Sequence, residues 1–241
     1  MPQTNSGSPF PLGVTPVEGG VNVAVVSRHA TRIFFCLFEG GAETRFELAT
    51  RQGDVHCGFI SGIRVGQHYG LRAEGPYDAT NLFDVSKLLI DPYATAIDRS
   101  FTWHGEFAVK GTETSPIAPK CIVSAPAPPA RHLPYSAPRF VYEVAVKAFT
   151  KRHPLIPENI AGTVAALAHP ACIEHFLRLG VDTVELMPLM AWADERHLAR
   201  QGLSNAWGYN PISFFAPNPR LAPGGLREIR ETIAALHEAG L

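Results

Sequence analysis

The sequence predicts a two-part fold, a β-sandwich in the N-terminal half followed by an incomplete α/β region with parallel strands. Three observations predict it. Short alternating or apolar runs recur about every ten residues up to Val123, with no convincing helical stripe among them. Prolines at 126, 128, 129, 134 and 138 then interrupt the chain. Beyond them, strands alternate with segments of helical period.

The first part reads as strands over Gly20 to Ser27, Ile33 to Phe38, Thr44 to Leu48, Asp54 to Ile60 and Gln67 to Ala73. Gly40 and Gly41 supply a turn, and Phe46 and Leu48 fall on one face. Asn81 to Asp98 is less regular, and Asp91-Pro92 ends its apolar run because a residue before proline is pushed out of the helical region. The proline-rich stretch favours extended backbone and marks a semi-rigid linker. The expected domains are therefore a sandwich over residues 1–122, a linker over 123–139 and the α/β part over 140–241.

In the second part, Phe140 to Val146 reads as a buried strand. Pro170 to Leu179 reads as a helix with Ile173, Phe176 and Leu177 on one face and Gly180 as its stop. Val181 to Met187 is the next strand, ended by Pro188. A helix from Leu226 to Ala239 carries Leu226, Ile229, Ile233 and Leu236 on one stripe, with Gly240 beyond it. The order βαβα implies a parallel sheet with a right-handed crossover. A complete (β/α)8 barrel takes about 250 residues, so this part is expected to be truncated.

Composition narrows the function. The chain has 241 residues, 46% of them apolar, and a formal charge of −1. That balance gives no support for nucleic acid as a partner, and no apolar run approaches a membrane span. The N-terminus lacks the charged and apolar regions of a secretory signal. Cys36, Cys57, Cys121 and Cys172 are scattered, which fits reduced thiols and a cytoplasmic location. His169, His175 and His197 have no metal-ligand spacing, and no glycine-rich nucleotide motif follows a strand, so neither metal nor cofactor is expected.

Val181 to Pro217 organises the rest. A long loop after a buried strand is where α/β folds place binding sites, and this one ends on Trp207, Tyr209, Phe214 and Phe215. Asn205 and Asn210 are suited to holding the loop by side-chain to backbone bonds. Asp194 and Glu195 are adjacent, so they read as loop-fixing residues with Arg196 as ion partner, not as an acid/base pair. Glu143 and Glu185 are expected to be mostly buried within their strands. Trp103 and Tyr77 offer either a sugar platform or packing in the sandwich.

Six motifs carry a resemblance: Tyr142-Glu-Val-Ala-Val-Lys-Ala-Phe-Thr150, Gly162-Thr163, Leu167-Ala-His-Pro170, Val184-Glu-Leu-Met-Pro188, Asp194-Glu-Arg-His-Leu198 and Trp207-Gly-Tyr-Asn210 with Phe214-Phe-Ala-Pro217. Together they resemble bacterial glycogen debranching enzymes of the isoamylase type, in the α-amylase superfamily. In the first half, Pro11-Leu-Gly13, Gly75-Pro-Tyr77, Lys87-Leu-Leu-Ile-Asp-Pro-Tyr93 and Pro119-Lys-Cys121 resemble the carbohydrate-binding-type sandwich of the same enzymes.

The resemblance implies hydrolysis of α-1,6 branch linkages in glycogen or limit dextrin by a retaining glycoside hydrolase, with an α-glucan as partner. Such chemistry needs two carboxylates about 5 Å apart. The resemblance puts them on later strands, so no catalytic residue is expected here and the chain alone is expected to be inactive. It implies that Tyr209 stacks on a bound sugar, with Trp207 and Asn205 as further substrate-binding candidates. Where the resembled enzymes have histidine and tyrosine, this chain has Ala145 and Ala206. Two rival readings are a non-catalytic glycan-binding or interaction protein, and a branching or trehalose-forming enzyme of the same superfamily.

Overall fold

The computed structural model describes residues 2–126, 128 and 137–241. The linker expectation falls mainly on residues outside these. The first half forms two antiparallel sheets. Its strands are β1 (Thr4–Asn5), β2 (Gly13–Val17), β3 (Gly20–Val26), β4 (Arg32–Glu39), β5 (Ala42–Glu47), β6 (Thr50–Gln52), β7 (Val55–Ser61), β8 (His68–Glu74) and β9 (Cys121–Ile122). One sheet runs β1-β7-β3-β2 with β6 also on β7, and the other runs β5-β4-β8-β9.

The facing sides of these sheets bury Val21, Val23, Ile33, Phe35, Leu37, Ile60 and Tyr69 in one core. β4 explains its own sequence. Phe35 and Leu37 enter that core, while Phe34 and Cys36 pack under Leu88 and Ala118 on the opposite side. A strand covered on both faces reads as a continuous apolar run instead of an alternating one.

Two polar groups anchor the covering segments. Arg72, on β8, has a side chain with no solvent exposure. Its Nε and Nη2 donate to the two Glu43 carboxylate oxygens at 2.6 Å, and Nη2 also reaches Glu113 Oε1 at 2.7 Å. Nη1 donates to the Val85 carbonyl at 2.9 Å. Asp91 is 1% exposed and accepts from Tyr69 Oη at 2.8 Å and from the Tyr93 amide at 2.9 Å. Burial pushes its carboxyl pKa up despite those donors. Tyr69→Phe is expected to cost about 1.5–3 kcal/mol by removing a hydrogen bond to this group, which a urea unfolding midpoint would show.

The second half begins with β10 (Val141–Val144), parallel to β11 (Thr183–Leu186) with Tyr142 opposite Val184 and Val144 opposite Leu186. Between them lie α1 (Val146–Thr150), a 3-10 turn over Val164–Ala168, and α2 (Pro170–Leu179). α3 (Arg196–Ala199) and α4 (Gly225–Glu238) follow. α2 starts with His169 accepting from the Ala171 amide and with Pro170 in the first turn, and it stops at Gly180 with φ 77°. A left-handed residue there satisfies the last carbonyls without a Cβ clash.

One helical turn is missing from the expectation. The first strand ends at Val144, and Val146 already belongs to α1. Five residues are too few to show a helical stripe, and tertiary packing holds them. Phe149 stacks on Phe176 of α2 at 5.3 Å, and Tyr142 meets Phe176 edge-on at 5.7 Å. Thr150 Oγ1 donates back to the Val146 carbonyl and accepts the Gly162 amide at 2.9 Å.

Glu143 and Glu185 correct another expectation. They are partners in the parallel pair and both are exposed, not buried. Their neighbours Tyr142, Val144, Val184 and Leu186 pack with the helices, so strand alternation turns the two carboxylates to the other face. Among the described residues, no helix is long and apolar enough to cross a membrane.

Candidate functional site

The loop after β11 is a doubled strap. The Met187 amide continues the parallel ladder to the Val144 carbonyl at 2.9 Å. The chain then pairs with its own return: Asn218 N to Leu189 O, Ala191 N to Ala216 O, Ile212 N to Ala191 O, and Ala193 N to Asn210 O, at 2.7–2.9 Å. These bonds hold the two limbs of the strap together and fix its base.

Asn205 ties the tip. Its Oδ1 accepts the Trp207 amide at 2.8 Å and the Gly208 amide at 3.0 Å, and its Nδ2 donates to Glu195 Oε1 at 2.8 Å. Its own amide donates to Asp194 Oδ1 at 2.8 Å. Three of its polar groups are thus engaged within the loop. Asn210 does what its residue type suggests, donating from Nδ2 to the Ala193 carbonyl at 3.2 Å.

Asp194 is fixed by Arg220, whose Nη1 and Nη2 lie 3.1 and 3.3 Å from its two oxygens. This corrects the expected partner, Arg196, whose guanidinium instead lies 5.8 Å from the centroid of the Trp103 ring. Arg220 also covers Trp192, with 5.0 Å from guanidinium carbon to ring centroid. Nothing local in the sequence links Asp194 to a residue 26 positions away. Among buried side-chain atoms here, Trp192 Nε1, Glu195 Oε2, Asn218 Nδ2 and Arg220 Nε have no hydrogen-bond partner.

This scaffold presents aromatic faces to solvent. Trp207 is 70% exposed and Tyr209 62%, whereas Trp192 is 4% exposed and serves as the floor. Gly208 lies between the two exposed rings at φ 81°, where a Cβ would stand 3.0 Å from Trp192 Cε3. Only glycine suits both that dihedral and that approach. Phe215 stacks on Tyr93 of the sandwich at 5.6 Å, and the Ser213 hydroxyl donates to the Ala94 carbonyl at 3.3 Å. The sandwich therefore braces the strap from behind.

A cavity of about 300 Å³ opens between α1 and the strap, bordered by Ala145, Lys147, Trp192, Ala206, Trp207 and Arg220 among others. Asn205 is also on its wall, but Tyr209 is not. Ala145 and Ala206, the two departures from the resembled pattern, lie 61 residues apart in sequence and meet at this one space. Sequence reasoning missed Trp192, Arg220 and the cations of α1. The spacing of Lys147 and Lys151, four apart, was the available signal for the last of these.

In the sandwich, Tyr77 and Trp103 are each engaged by their own neighbours. Lys110 Nζ lies 3.5 Å from the Tyr77 centroid, and Trp103 packs against Phe101 and Phe107. Among the described residues there is no cluster of three or more side chains fit to hold a metal ion.

Comparison with known proteins first gives the class. Residues 11–94 match carbohydrate-binding module 48, the isoamylase N-terminal domain. Structures of carbohydrate-active enzymes share the fold of nearly the whole described chain. The catalytic module of a multi-modular glycogen-degrading pneumococcal virulence factor has a TM-score of 0.71 at 17% identity, over 96% of this chain and 36% of its own. Pullulanase from Anoxybacillus sp. LM18-11, solved with maltotetraose, has 0.69 at 19%, over 98% of this chain and 34% of its own.

The curated proteins then narrow the class: this chain is similar in sequence to bacterial glycogen debranching enzymes. It is 38% identical to that of Yersinia enterocolitica over 100% of its own length and 39% of the relative's. With that of Yersinia pseudotuberculosis the identity is 40%, over 98% of this chain and 38% of the relative. The chain thus spans well under half the length of these relatives.

Proposed function

We propose that this chain is the glucan-shaping part of an α-1,6-glucan debranching hydrolase that acts on glycogen or limit dextrin. The carrying observation is the braced strap that holds Trp207 and Tyr209 outward on a loop tied by its own backbone ladder and by Asn205. A flat ring complements the C–H face of a pyranose, and the Tyr209 hydroxyl adds a polar handle beside it. Tyr209 is the primary platform and Trp207 the second. Asn205 acts on the substrate through its hold on the Trp207 and Gly208 amides.

The reading divides the chain into a sandwich over 1–122, a linker over 123–139 and the opening of a (β/α)8 barrel over 140–241. The sandwich supports the strap through Tyr93 and Ala94. The resemblance assigns nucleophile and acid/base to later strands, so this chain binds and positions without cleaving. Four free cysteines, all buried, fit a cytoplasmic site of action.

Affinity electrophoresis in glycogen tests the reading on the 241-residue chain. Retardation is expected, with Tyr209→Ala weakening it about tenfold, on the scale of one lost interaction of about 1.4 kcal/mol. Equal retardation of wild type and both Tyr209→Ala and Trp207→Ala would reject the aromatic wall. Release of linear chains from glycogen by this chain would reject its non-catalytic role.

A further inference from the structure

We propose that the cavity between α1 and the strap binds a sugar phosphomonoester, a ligand distinct from the neutral glucan assigned to Tyr209. The charge on its wall is the first reason. Lys147, Lys151, Arg152 and Arg220 border it, and the acids nearby, Asp194 and Glu195, stand behind the wall on Arg220 and Asn205 and do not line it. Asp194 pairs with Arg220, which leaves the three cations of the α1 segment without a carboxylate partner among the described residues, Lys151 Nζ having only the Ala161 carbonyl at 3.4 Å. Lys147 and Lys151 are four residues apart, so their ammonium groups share one side of a single turn. Like charges so placed repel one another, and a phosphomonoester, with about −1.5 to −2 charge at neutral pH, relieves that repulsion. A neutral glucan could accept hydrogen bonds from them but brings no charge to offset theirs.

The second reason is shape. Ala145, Ala148 and Ala206 keep the walls short, and the Trp207 indole provides a flat face at the edge. The volume of about 300 Å³ lies at the small end of the range for small-molecule sites, a size suited to one hexose unit with its phosphate. The room depends on alanine at both 145 and 206, because a larger side chain at either position would extend into it.

A free hexose phosphate and a phosphate ester carried on a glucan chain present the same chemistry. Calorimetric titration of the 241-residue chain with glucose 6-phosphate, inorganic phosphate, glucose and a phosphorylated maltodextrin tests the assignment and separates these sources. Saturable binding of glucose 6-phosphate is expected, at least tenfold tighter than inorganic phosphate. Binding of the free ester alone supports a small effector, and binding of the phosphodextrin supports an ester on the chain. The Lys147→Gln/Lys151→Gln double variant is expected to lose at least tenfold in affinity. Ala206→Tyr, at an exposed position, fills the space without touching the charges and is expected to abolish binding. No binding of either ester, equal affinity in the variants, or equal affinity for inorganic phosphate would each overturn the proposal.

Discussion

Arg72→Ala is expected to destabilise the sandwich by about 3–5 kcal/mol, the usual cost of removing one partner from a buried ion pair. The loss is large because Arg72 is the single donor group joining four acceptors on three segments: both Glu43 oxygens, Glu113 and the Val85 carbonyl. Its removal leaves Glu43, only 16% exposed, with Arg45 as its remaining cation. Arg72→Met, which keeps volume but not charge, is expected to unfold nearly as easily while Glu43 is ionised. Combining Arg72→Met with Glu43→Gln is expected to recover part of the loss, because no uncompensated charge then remains. Urea unfolding of the four proteins measures this, and full stability in Arg72→Ala would contradict it.

The same cluster sets an acid limit. Burial raises the Glu43 carboxyl, but hydrogen bonds from Arg72 and Arg45 outweigh it and hold the pKa at about 2, below its ordinary 4.5. A depressed folded-state pKa means stability that is fully present above about pH 4.5 and lost as pH falls through about 2. Asp91 has the opposite sign. Its raised pKa contributes stability below its ordinary 3.8, lost as pH rises through the folded value. Glu43→Gln is therefore expected to flatten the acid side of the stability profile, and Asp91→Asn to steepen it.

Gly208→Ala is the second large effect. The left-handed dihedral costs a non-glycine residue about 1–2 kcal/mol. The new Cβ also meets Trp192 Cε3 at 3.0 Å and the Pro188 carbonyl oxygen at 3.2 Å, and overpacking of that kind typically adds about 1–3 kcal/mol. Pro188 follows β11 and Trp192 is buried, so the strap tip must give way. The expected outcome is loss of the Asn205 bonds to the Trp207 and Gly208 amides, with both aromatic faces displaced. Glycogen retardation should fall at least tenfold while the unfolding transition of the sandwich stays in place. Unchanged retardation would show that the tip tolerates the clash without moving the rings.

Some of this was legible in single residues. Gly180 and Gly240, both at positive φ, were readable as helix stops because a C-cap is a local requirement. The continuous apolar run of β4 pointed to a buried strand, although the segment that covers its second face is folded over from residues 85–118. α1 was not legible, since its five residues are held by Phe176 more than 25 positions away. In the site, Asn205 could be read as a loop tie from residue type alone. Arg220 could not be matched to Asp194, because the strap brings them together only after it doubles back.

By itself, the sequence determined the two-part order, the strand and helix periods, the helix ends and the aromatic loop with Tyr209. These depend on side-chain alternation, helical spacing and backbone restriction, all of which act within a few residues. Tertiary structure alone decided that Glu143 and Glu185 are exposed, that Arg220 and not Arg196 holds Asp194, and that Ala145 and Ala206 open one cavity. Each of those is a contact or exposure between distant segments, and its energy exists only once the chain has folded.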